Sequence, residues 1–158
     1  MTMSLFPFVQ WVAHTGVGIA MRKSTILFPA VEVAHVLGLT LLLGSVLAVD
    51  MRLLGAGIKR QSASTVAVSV SPVFWTGLAL ALGTGLVLFV GEPVKCFYNA
   101  AFWWKMGLLL AAIVFHLTLF RRISRADGGS AIARRSAAIL SLTLWFGVGV
   151  AGRVIGFI

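Results

Sequence analysis

The chain has 158 residues, 59% of them hydrophobic and 11% charged, against roughly 25% charged residues in soluble domains. With a mean hydropathy of +1.03, it is built for lipid and not for water, and four spans with short connections use nearly all of its length, leaving no room for a soluble catalytic domain. The formal charge of +9 sits in short clusters between apolar runs, so it reads as a topology signal and gives no reason to expect nucleic acid as a partner.

In chain order, the first apolar segment, 5–21, is shorter than a typical span and is interrupted by Gln10, His14 and Thr15. It is expected to lie on the membrane as an interfacial helix, with Trp11 at headgroup depth. The opening MTMSLFPFVQ has no basic n-region, and Arg22 and Lys23 follow the apolar stretch instead of preceding it, so no signal cleavage is expected. Four longer apolar runs follow at 26–49, 72–91, 102–120 and 136–157. Each must be helical, because a segment in lipid has to satisfy its own backbone hydrogen bonds. The expected fold is therefore all-α, an integral membrane four-helix bundle forming one domain over 1–158. Pro29 and Pro72 are placed in first turns, where a missing N–H costs little. Gly77, Ala81 and Gly85, and again Gly152 and Gly156, recur at every fourth position and mark seams for close helix approach.

Basic residues set the orientation. Arg52, Lys59, Arg60, Arg121, Arg122, Arg125, Arg134 and Arg135 fall on one side, while Arg22, Lys23, Lys95, Lys105 and Arg153 fall on the other. The richer side is expected in the cytoplasm of a bacterial inner membrane, with both termini periplasmic. Trp103 and Trp104 would then belong to an outer aromatic belt. Cys96, the single cysteine, can form no internal disulfide and reads as packing.

Ionisable residues inside a membrane need partners or water. Glu32 and His35 are three residues apart in the first span, and Asp50 lies five turns further along the face of Glu32. Lys105 and His116 share a face of the third span, and Arg153 is the charge of the fourth. Depth at about 1.5 Å per residue puts Glu32, Lys105 and Arg153 near one level. Glu32 and Arg153 are expected to pair, either as a structural ion pair or as the wall of an outward-facing pocket that carries a proton or cation.

The histidines allow a second chemistry. His35 with His116, or His35 with His14, are candidate axial ligands of one b-type haem between helices. Three histidines cannot supply the four ligands of two haems. No Gly-x-Ser-x-Gly, His-Glu-x-x-His, P-loop or dinucleotide fingerprint occurs.

The segments FPAVEVAHVLGL, GSVLAVDMRLLG, FWWKMGLL and LWFGVGVAGRVIGF resemble an uncharacterised bacterial family of short four-span membrane proteins, a domain of unknown function. The resemblance runs from Phe28 to Phe157, and Glu32, His35, Asp50, Arg52, Lys105 and Arg153 fall in its motifs. It implies a four-helix membrane fold and says little of activity.

Three functions remain open. The first is an accessory or partner-binding subunit of a membrane complex, as a homo-oligomer or with a periplasmic partner. The second is a haem- or metal-binding electron-transfer subunit. The third is a membrane protein that handles protons or small cations.

Overall fold

The computed structural model describes residues 6–56, 61–120, 122 and 130–157. Leu5, Lys59, Arg60, Arg121 and Arg125, which entered the expectations above, lie outside these residues. Among the described residues every regular element is a helix. Four helices are long and apolar enough to cross a membrane: α3 (Leu27–Leu53), α4 (Ala63–Gly91), α6 (Ala100–Phe115) with a π-helical continuation (His116–Phe120), and α7 (Ala131–Val154). The chain is a multi-pass membrane protein.

The segment expected as one interfacial helix is divided into α1 (Phe6–Ala13) and α2 (Gly16–Lys23). The break falls at Thr15, whose extended backbone and side-chain oxygen, accepting from Gly18 N, start a new helix. Each piece is about 12 Å long, too short to cross. Gly18 lets α2 lie directly on α4, since a Cβ there would come within 2.9 Å of the Val90 carbonyl oxygen. Arg22 donates to the carbonyls of Gly91 and Ala13, tying the segment to the end of α4. Phe6 packs on Phe97 and Tyr98 of α5 (Pro93–Tyr98). The bundle therefore has an α5 end, carrying α1 and α2, and an arginine end, where α3 stops and α4 and α7 begin.

Pro72 does not open its helix. Helix α4 starts nine residues earlier, where Ser62 accepts from Thr65 N as its N-cap. The small and hydroxyl-rich stretch Ala63–Ser71 looks too polar for a span, but it needs only a capped start to extend the helix beyond the apolar run. Pro29, by contrast, is in the first turn of α3.

Helix α3 packs on α4 and on α7, and α6 packs on α7. The α3–α4 seam is built from small residues: a Cβ on Gly77 would lie 2.6 Å from Leu42 N, and one on Gly38 would lie 2.8 Å from Ala81 N. Gly156 marks no seam, for a Cβ there would meet only the Arg153 carbonyl of its own turn. An apolar layer of Leu42, Val46, Phe74, Leu78, Ala112 and Trp145 fills the middle, and a second, including Val49, Leu53, Val66 and Phe115, lies towards the arginine end.

Candidate functional site

The polar residues inside the bundle form two separate groups with the apolar layer between them. The group nearer the α5 end is centred on His35. Thr84 Oγ1 donates to the Leu80 carbonyl at 2.6 Å, so its oxygen is left to accept from His35 Nδ1, 2.9 Å away. That assigns the imidazole hydrogen to Nδ1 and turns the Nε2 lone pair towards Lys105 Nζ at 3.5 Å. Gly85 gives the ring its place, since a Cβ there would lie 3.2 Å from His35 Cε1. Gly152 does the same for the lysine, with Nζ 3.3 Å from where its Cβ would be. Four helices thus contribute: His35 from α3, Thr84 and Gly85 from α4, Lys105 from α6 and Gly152 from α7. The long lysine stem lets the Lys105 ammonium reach His35 from the neighbouring helix.

Glu32 and Arg153 stay outside this group and do not form the expected pair. Both are exposed, the Arg153 guanidinium lies 5.5 Å from the ring centre of Phe157, and the one salt bridge among the described residues joins Lys95 to Glu92. Three residues turn an α-helix by 300°, which carries Glu32 past the seam that buries His35.

The second group lies towards the arginine end. Asp50 is fully buried, at 0% exposure, as is Ser141 of α7. Ser141 faces the Asp50 carboxyl, yet neither carboxylate oxygen nor Ser141 Oγ has a well-formed hydrogen bond. Trp145, one turn from Ser141, is 1% exposed and its Nε1 is also without an acceptor.

The histidines do not converge. His116 stacks on Phe74, with ring centres 3.9 Å apart, and on Phe120 at 5.1 Å. Phe74 lies ten residues from Thr84 on α4, a separation of about 15 Å along the axis. Two axial imidazoles on one iron must point at the same atom, so His35 and His116 cannot share a haem in this arrangement. The cavity beside His116 is about 40 Å³, room for water and not for a macrocycle. His14 is exposed and bonded through Nδ1 to the Gln10 carbonyl at 2.8 Å, on the α1–α2 segment. His35 has both nitrogens engaged, so the residues present do not fit a bis-histidine haem. Among the described residues no group of three or more His, Cys, Asp or Glu side chains is placed to hold a metal ion.

Sequence reasoning singled out His35 and Lys105 and missed Thr84 and Ser141, neutral hydroxyls that carry no charge signal. Small residues at Gly85 and Gly152 were visible, but as seams and not as the floors under two polar side chains.

No curated protein and no solved structure matches the chain. One family model matches residues 8–158 and is described as "Family of unknown function (DUF6644)". That span takes in all four long helices and both buried polar groups, and the chain belongs to this family.

Proposed function

We propose that the protein acts as a subunit of a membrane assembly, with a second copy of itself as the partner. The observation that carries this is the exposure of Glu32. Eighteen residues return a helix to the same azimuth, so Glu32 and Asp50 share a face of α3. Helix α7 covers that face at Asp50, through Ser141, and leaves it open at Glu32. The carboxylate lies about 7 to 8 Å inside the start of α3, among the exposed Val33, Val36 and Leu37. A charge in this setting calls for a partner or water. Arg153, also exposed, is near the same end of the bundle and supplies the complementary charge. In a two-fold dimer each Glu32 meets the other copy's Arg153, forming two equivalent pairs.

The assembly is oriented with the arginine end in the cytoplasm, following the excess of basic residues there, and with both termini in the periplasm. Photobleaching of singly labelled protein in liposomes tests the association. Two-step traces that increase with protein density are expected for wild type, and mainly single-step traces for Glu32→Gln. Single-step traces for wild type at every density overturn the reading.

Asp50 favours a second reading, in which the protein handles protons or small cations. Intramembrane carboxyl groups without fixed partners are found along ion and proton pathways. Liposomes with an internal pH dye test it: dissipation of a pH gradient by wild type and not by Asp50→Asn supports it, and equal rates with empty liposomes remove it.

A further inference from the structure

The arginine end contains a cavity of about 400 Å³ lined by Arg52, Leu53, Gly55, Ser62, Ala63, Ala131, Arg134 and Arg135. Its volume is in the range of ligand pockets. Among the described residues its lining includes the guanidinium groups of Arg52 and Arg135, with Arg134 beside them, and no carboxylate. The nearest acid on α3, Asp50, is buried against Ser141 on the other side of Leu53.

The backbone adds to this charge. Both α4 and α7 begin at the cavity wall, and a helix N-terminus carries a partial positive charge and N–H groups without intrahelical acceptors. At α4 the Ser62 side chain satisfies one of these, Thr65 N. At α7 Ser130 itself makes no side-chain cap bond. The third wall is held in shape by the turn after α3. Gly55 has a φ of +88°, a left-handed conformation that favours glycine. Arg52 Nε donates to the Gln61 carbonyl at 2.5 Å, which fixes the base of its guanidinium at the rim while the terminal nitrogens keep their own donors.

We propose that this cavity binds a phosphate group. Tetrahedral oxyanions match both donor types present, since guanidinium forks bond pairs of phosphate oxygens and helix N-termini supply N–H donors and field. The group arrives either as the headgroup of an anionic phospholipid, because the cavity lies at the end of the spans, or as a free phosphate compound from the aqueous side.

Native mass spectrometry and calorimetry on the full chain in nanodiscs distinguish these. Two lipid backgrounds are compared: pure phosphatidylcholine, and phosphatidylcholine doped with phosphatidylglycerol. Inorganic phosphate is titrated into the first. Preferential retention of phosphatidylglycerol identifies a lipid site, and a saturable heat with inorganic phosphate identifies a free-phosphate site. In either case Arg52→Gln and Arg135→Gln should each weaken binding about tenfold, the loss of one charge-assisted hydrogen bond, while Lys95→Gln at the opposite end changes nothing. Melting of each variant in pure phosphatidylcholine confirms that it is folded. No lipid preference together with no phosphate heat overturns the proposal, as does binding by both folded arginine variants that equals wild type.

Discussion

His35 and Lys105 are 70 residues apart in the chain, yet His35 Nε2 lies 3.5 Å from Lys105 Nζ, because Thr84 holds the other ring nitrogen and Gly152 leaves room for the lysine stem. The contact joins α3 to α6, helices that otherwise pack mainly on α4 and α7. Thr84→Val, which keeps shape and removes the hydroxyl acceptor of the Nδ1–H, leaves the ring its backbone contact with Ala81 and should cost about 0.5 to 1.5 kcal/mol. Thr84→Ser keeps the hydroxyl and should melt close to wild type. Thermal melting in one detergent compares them, and equal melting of the valine and serine variants contradicts the relay.

The α3–α4 seam makes a sharper steric prediction. Gly77→Ala puts a carbon 2.6 Å from a backbone nitrogen, which no side-chain rotation relieves, so a loss of about 1 to 3 kcal/mol is expected from overpacking. Gly44, on the same pair of helices, has nothing within 4 Å of its would-be Cβ. Gly44→Ala should be neutral or slightly stabilising, by the better helix propensity of alanine. Denaturation in mixed micelles with increasing ionic detergent separates the two.

How much of this was legible in the sequence depended on the kind of signal. The four spans were legible because apolar runs of about 20 residues have one stable form in lipid. The start of α4 was not, because Ala63–Ser71 is weakly apolar and Pro72 resembles a helix opening. His35 and Lys105 were legible as charges that lipid would reject. Their link through Thr84 depends on a hydroxyl that hydropathy does not flag. Glu32 and Asp50 share a helical face, so periodicity gave them the same environment; only the packing of α7 separates a buried carboxyl from an exposed one. The arginines were counted for orientation, and their meeting around a cavity requires the tertiary fold.

Topology is tested on a Cys96→Ala background with single cysteines at Tyr98→Cys, exposed at the α5 end, and Ser130→Cys at the arginine end. A membrane-impermeant maleimide added to intact cells should label the first and spare the second. The reverse pattern inverts the orientation.

Native Cys96 offers a pH test. It lies in α5, outside the spans, where burial first and the nearby Glu92 second push its thiol above the ordinary value, with Lys105 and Lys95 opposing. A raised thiol pKa means less thiolate at any given pH, so alkylation by iodoacetamide in the folded protein should be slow near neutrality and still climbing beyond the pH at which a free cysteine levels off. Unfolding should bring the profile back to that of the free thiol. A folded profile that already matches free cysteine contradicts this environment for α5.

The most direct measurement of the central proposal, association through Glu32 and Arg153 of two copies, is charge exchange in lipid. Glu32→Arg and Arg153→Glu each place like charges opposite one another and should reduce the dimer fraction in liposomes, read by photobleaching at fixed density. The double variant restores opposite charges with the sides reversed and should recover most of the wild-type dimer. Recovery in the double variant, with each single variant still folded by melting, is the result the account predicts. A double variant as monomeric as the singles, or single variants that dimerise as well as wild type, would contradict it.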